Sequence, residues 1–144
     1  MNYSFRPYLF LLLFVSLYLP CHAQKYLWGV TKYGGTDDGG VIFRTDSAGN
    51  NQTIVYNFSR PLARSPQYTH LIQGSDGKIY GMTEAGGLSN KGLVFCFDPI
   101  TRAFTNLVHF QGTNGSGPQG SLFQASNGSI YGMTRTGGAN NYGT

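Results

Sequence analysis

The sequence predicts an all-β fold of tandem four-stranded antiparallel blades, arranged as an incomplete array. Three observations carry this prediction. The chain repeats itself with a period of 52 residues, closing to 51 in the last part of the repeat. Short apolar runs are punctuated by turn signals: 21 of the 144 residues are glycine and 15% are aromatic, while only 11% are charged. Beyond residue 23, no segment spaces apolar residues every three to four positions over three turns, so almost no helix is expected there. Short strands joined by tight turns suit such a composition, and helices do not.

Residues 1–23 read as a signal peptide rather than as part of the fold. Arg6 makes the start basic, Tyr8 to Leu19 form an apolar run, Pro20 ends it, and Ala23 places a small residue at the cut. The run is shorter than the roughly 20 residues that a membrane span requires. Cleavage after Ala23 leaves residues 24–144 as the mature part, exported to the cell surface or the extracellular space, with the periplasm as the alternative. No membrane span is expected once the signal is removed. Two other readings stay open. Cys21 could be an acylated lipoprotein cysteine, although Leu19-Pro20 stand where small residues are wanted, and the apolar run could be an uncleaved anchor. Cleavage leaves Cys96 without a disulfide partner. Its place in Leu93-Val94-Phe95-Cys96-Phe97 makes it a small buried hydrophobe.

The repeats divide the mature part into units over about 25–77 and 78–128 and a partial unit over 129–144. Leu27-Trp28-Gly29-Val30-Thr31 returns as Ile79-Tyr80-Gly81-Met82-Thr83 and as Ile130-Tyr131-Gly132-Met133-Thr134. The pair Gly34-Gly35 returns as Gly86-Gly87 and Gly137-Gly138, and Gly40-Val41-Ile42-Phe43 returns as Gly92-Leu93-Val94-Phe95. Asp46 returns as Asp98, Tyr56-Asn57-Phe58 as Val108-His109-Phe110, and Ser65-Pro66 as Gly117-Pro118. The sequence ends at Gly143-Thr144, equivalent to Gly92-Leu93, so a longer array is expected.

Each unit reads as four strands in order. The first lies near Leu122 to Ser126. It turns at Asn127-Gly128, equivalent to Asp76-Gly77, a two-residue hairpin signal in which both residues take positive φ. The second runs from Ile130 to Thr134. A glycine pair and a polar loop, Leu88 to Lys91, lead to the third, Gly92 to Asp98. A proline turn at Asp98-Pro99-Ile100-Thr101 leads to the fourth, near Ala103 to Phe110. Gln111 to Gln119 then reads as a loop. Leu93, Phe95 and Phe97 on one face and Val94 and Cys96 on the other mark a strand buried on both sides. Sheets stacked in that way are the blades of a β-propeller.

Ile-Tyr-Gly-Met-Thr, then Gly-Gly, then Gly-Leu-Val-Phe with Asp98 close behind, then His109-Phe110, resembles the GloVer tandem repeats of exported bacterial "choice-of-anchor" proteins. The resemblance covers about residues 25–144. It implies an exported protein and supplies no enzymatic residue. The first unit departs most, with Trp28, Val30 and Asp37-Asp38. The unit is also similar in architecture to a kelch blade, without the tryptophan expected in its fourth strand.

No catalytic, cofactor-binding or metal-binding residue is assigned from the sequence. Asp46, Asp76 and Asp98 read as turn-capping residues. Asp37-Asp38 lacks the spacing of a calcium loop. His70 and His109 have no partner at metal-ligand spacing, and Asn57 stands where His109 recurs. No Gly-x-Ser-x-Gly elbow is present. Trp28, Tyr80, Met82, Tyr131 and Met133 could stack on sugars, but their recurrence favours packing between blades. The net charge of +4 is scattered along the chain, so no nucleic-acid surface is expected. The favoured reading is a non-catalytic surface or extracellular module that binds an unidentified polymer or surface partner, with a glycan as the candidate class. A glycan-active propeller enzyme and a structural spacer are the alternatives.

Overall fold

The computed structural model describes residues 26–60 and 62–144, and all their regular structure is strand or turn. The expected signal peptide and Cys21 lie outside them. In the first unit, β1 (Tyr26–Thr31), β2 (Val41–Asp46) and β3 (Thr53–Asn57) form an antiparallel sheet in that order. A short β4 (Ala63–Arg64) follows. At the end of the first unit comes β5 (Ile72–Gln73), and the second contains β6 (Ile79–Thr83), β7 (Ala85–Gly86), β8 (Leu93–Phe97) and β9 (Phe104–His109). Of these, β5-β6-β8-β9 is the predicted four-stranded blade, antiparallel throughout. After β10 (Ser116–Pro118), β11 (Phe123–Gln124) closes the second unit and forms a hairpin with β12 (Ile130–Tyr131) of the third, which β13 (Thr134–Thr136) follows. The fold is an all-β, propeller-like array of small antiparallel sheets.

Two local readings need correction. The Asp76-Gly77 and Asn127-Gly128 turns are not two-residue hairpins. Gly77 and Gly128 have φ of +79° and +86°, but Asp76 and Asn127 are not left-handed. Gly77 N–H donates to the Gly74 carbonyl at 2.9 Å, and Gly74 N–H to the Lys78 carbonyl at 2.8 Å. The loop is therefore one residue longer, a turn over Gly74 to Gly77 closed by a left-handed glycine. The Asp76 and Asn127 side-chain oxygens cap the amides of Lys78 and Ser129 instead. The second correction concerns the return loops. Ala63–Arg64 pairs with Ala85–Gly86, and Ser116–Pro118 with Thr134–Thr136, so antiparallel ribbons clip each unit to the next. Their glycine and proline content hides them from a propensity reading.

The core lies between the first two sheets. Ile42, Phe58 and Ala63 pack on Ile79, Leu93, Phe95 and Phe97, with Trp28, Val30, Tyr56 and Phe104 against them. Tyr56 stacks on Phe104 with ring centres 4.2 Å apart, and Phe58 meets Phe95 edge-on at 5.4 Å. Trp28 reaches Phe97 at 6.2 Å, so this tryptophan packs between sheets. A β-bulge recurs at equal positions. The register slips between Ile42 and Phe43 and between Val94 and Phe95, leaving Val55 and Leu107 outside the pairing.

Asp46 and Asp98 close the β2–β3 and β8–β9 turns. Asp98 Oδ1 accepts from the amides of Ile100 and Thr101 at 2.8 and 3.2 Å, and Asp46 Oδ1 from Asn50 and Ala48 at 2.9 and 3.0 Å. Those amides, led by Ile100 for Asp98 and Asn50 for Asp46, hold both carboxyls below the ordinary 3.8. A carboxyl depressed in the folded state stabilises above its unfolded pKa, and that contribution disappears as pH falls through the folded value. The melting temperature is expected to be flat from neutral pH down to about 5 and to fall progressively below about 4. Asp98→Asn, which keeps an accepting oxygen, should flatten the acid limb. A thermal melt series across pH checks this.

Candidate functional site

Most polar side chains prove to be parts of the repeat. Asp38, Asn90 and Asn141 stand at one position, all left-handed, with φ of 51°, 53° and 61°. Each side-chain Oδ1 accepts from the first amide of the glycine pair: Gly34 at 2.8 Å, Gly86 at 3.1 Å and Gly137 at 3.0 Å. Asp38 is thus the first unit's version of a recurring turn, and Asp37 bonds the Ser59 hydroxyl at 2.9 Å. The pair does not converge on one point. Thr31, Thr83 and Thr134 likewise each donate a hydroxyl to the carbonyl two residues on, at 2.7, 2.9 and 3.0 Å.

The histidines are far apart in role. His109 Nδ1 accepts from Leu88 N–H at 3.3 Å, and Asn57 Oδ1 accepts from the equivalent Thr36 N–H at 3.2 Å. The two side chains hold the same loop, and the bond assigns the His109 proton to Nε2. His70 Nδ1 bonds the Ser121 hydroxyl at 2.8 Å. Cys96 is buried, which pushes its thiol pKa up. Tyr80 is pushed up by burial and by its 2.9 Å bond to Asp76. Glu84 accepts from Gln119 Nε2 at 3.1 Å and from Gln67 Nε2. Among the described residues, no group of three or more His, Cys, Asp or Glu could hold a metal ion. No helix among them is long and apolar enough to cross a membrane.

What remains is a groove of about 680 Å³ where the first and second units meet, lined by Arg60, Leu62, Arg64 and the loop Gly87-Leu88-Ser89-Asn90. Arg64 belongs to β4, which pairs with β7 of the next unit, and Gly87 N–H donates to the Leu62 carbonyl at 2.7 Å. Arg64 Nη2 donates to Asn90 Oδ1 at 2.8 Å. Arg60 Nη2 donates to the Asp38 carbonyl at 2.9 Å, with the Asp38 carboxylate 3.6 Å away. A guanidinium has five N–H donors, so these bonds orient both groups without exhausting them. Leu62 and Leu88 are exposed beside them.

Four of these groove residues are ones the repeat does not need. One period on, Arg60, Leu62 and Arg64 become Gly112, Asn114 and Ser116, while Leu88 becomes Ala139. Tyr68, nearby in sequence, is left-handed with φ of 58° where the next unit has Gly120 at 93°. A tyrosine held in a conformation that its counterpart meets with glycine carries strain that the architecture does not require. The sequence reading passed over all of them because the cations look scattered. A search for residues without a counterpart one period away would have found them.

No curated protein and no solved structure matches the chain. The family model described as the Gloeobacter/Verrucomicrobia repeat matches residues 18–144. The match takes in both units and the partial third, including every recurring turn described above. The chain belongs to the Gloeobacter/Verrucomicrobia repeat family.

Proposed function

We propose that this chain is an exported, non-catalytic binding module whose ligand lies in the groove between the first two units. The single observation that carries the reading is the departure from repetition there. Two arginines and two exposed leucines stand where the next unit has Gly112, Asn114, Ser116 and Ala139. The chemistry favours an acidic polymer. Planar guanidinium groups bind carboxylates bidentately, and flanking leucines suit the apolar face of a sugar ring. A uronate-bearing glycan meets both demands. The non-catalytic part of the reading rests on the acids. All six are exposed or half-buried, and each is held by turn, loop or glutamine contacts.

The test is titration of the full chain with a uronate oligosaccharide at low and high salt. Saturable binding that weakens with salt is expected. Arg60→Ala combined with Arg64→Ala should weaken it by about tenfold or more, since one charge-assisted bond contributes about 1.5–3 kcal/mol. The Arg64→Lys variant should not restore it. Equal binding by neutral and acidic glycans would overturn the ligand class. No binding at all would leave the spacer reading, and turnover of any polysaccharide would overturn the non-catalytic one.

A further inference from the structure

The loops that lead into β5 and β11 lie side by side and are tied at three points. Gly120 N–H donates to the Tyr68 carbonyl at 2.6 Å, and His70 Nδ1 bonds the Ser121 hydroxyl at 2.8 Å. The third tie is a carboxylate. Glu84, just past β6, accepts from Gln119 Nε2 through Oε1 at 3.1 Å and from Gln67 Nε2 through Oε2. Its own N–H donates to the Ser65 carbonyl at 3.1 Å, so the main chain fixes it as well. Glu84 and both glutamines are half-buried.

Repetition accounts for the glutamines but not for what they hold. Gln67 and Gln119 are counterparts, and each follows a buried proline. The position of Glu84 is Lys32 in the first unit and Arg135 in the third, so the carboxylate occurs in one copy. Tyr68, with φ of 58°, stands where the second unit has Gly120. Its ring is 64% exposed and joins no aromatic pair or hydrogen bond among the described residues. A left-handed tyrosine costs stability, and a ring so exposed recovers little of it by packing.

The chemistry beside that ring is mixed. A carboxylate has about four lone-pair sites, and two are used here; each glutamine amide keeps one N–H and its oxygen. Lys32 Nζ sits over the Tyr33 ring, 4.9 Å from its centre. Tyr33 raises the Lys32 pKa most, and Tyr68 and Glu84 raise it further, so both lie within electrostatic reach of the ammonium. A cation and an anion at one place discriminate against charged ligands of either sign. Fixed donors and acceptors beside an aromatic face suit a ligand with hydroxyls on its rim and an apolar face.

We propose that Tyr68, Gln67, Glu84 and Gln119 form a binding site for a neutral pyranose sugar. The sugar stacks its apolar face on the Tyr68 ring, and its vicinal hydroxyls bond the Glu84 carboxylate and the two amides. The site is separate from the arginine groove and stands whether or not that groove binds a uronate.

The probes are cellohexaose, mannohexaose and xylohexaose, each titrated into the full chain by isothermal calorimetry at low and high salt. Saturable binding of at least one is expected, unchanged by salt, unlike the binding expected of the arginine groove. Tyr68→Ala should weaken it about tenfold or more, the loss expected of an aromatic anchor. Glu84→Gln should weaken it by a similar factor through its charge-assisted bonds, and Tyr68→Phe, which keeps the ring, should retain it. Stability separates a binding tyrosine from a structural one. Tyr68→Gly should abolish binding and raise the melting temperature, because it relieves the left-handed strain. A lower melting temperature for Tyr68→Gly would make the tyrosine structural and overturn the proposal. So would binding of none of the three sugars, or binding that survives both Tyr68→Ala and Glu84→Gln.

Discussion

Phe95→Ala is expected to destabilise the protein by about 3–5 kcal/mol, among the largest effects expected of a side-chain truncation here. Phe95 is fully buried. Its ring meets Phe58 at 5.4 Å and Phe104 at 5.1 Å, and it lies over Gly81. Truncation removes apolar area and also leaves a cavity, because Phe58 is anchored to the first unit just beyond β3 and Phe104 to β9 of the second sheet, and neither can move in alone. A domain of this size should lose well over about 10 °C in melting temperature. The matched control is Phe123→Ala. Phe123 is 65% exposed, and its truncation should stay within about 0.5 kcal/mol. Circular dichroism melts of the two variants decide the matter, and similar losses would mean that the two sheets do not stack through this ring.

Gly92→Ala should cost more than about 3 kcal/mol, because left-handed strain and a main-chain clash act together. Gly92 has φ of +91°, and a Cβ there would lie 2.3 Å from the Thr83 carbonyl oxygen and 2.6 Å from Pro118 Cδ. The oxygen belongs to the end of β6 and has no rotamer to escape into. The same contact recurs at Gly40 and Gly143, where the Thr31 and Thr134 oxygens are each 2.2 Å away. Gly77→Ala separates the two contributions. Gly77 is also left-handed, at +79°, but nothing lies within 4 Å of its added Cβ. It should lose only about 1 kcal/mol. Denaturant melts giving equal losses at the two positions would show that the conformational cost alone is being measured.

The strands were legible because the repeat period lines up two or three copies of each, and a motif that returns in register outweighs a weak propensity. The blade of β5, β6, β8 and β9 falls where the motifs place it. The structural use of His109 was legible through Asn57, since both side chains accept from the same loop amide. The turn after β5 was misjudged, because Asp-Gly signals a positive φ without saying how many residues precede it. The ribbons that join the units were missed, since two or three residues such as Ala63–Arg64 carry no alternating pattern. The arginine groove was hidden for the opposite reason. Repetition explains almost every conspicuous residue, and what matters at Arg60 and Arg64 is that the repetition stops.

Those ribbons bear on how such chains change over generations. The joint between units is made by main-chain groups: Ala63–Arg64 with Ala85–Gly86, Ser116–Pro118 with Thr134–Thr136, Glu84 N–H to the Ser65 carbonyl and Gly138 N–H to the Gly112 carbonyl. Peptide groups are the same whatever side chains they carry, so an unequal crossover that duplicates, deletes or swaps one period should preserve the splice. Side chains facing the groove are then released to diverge one copy at a time, and a new specificity can arise in a single repeat without renegotiating its neighbours.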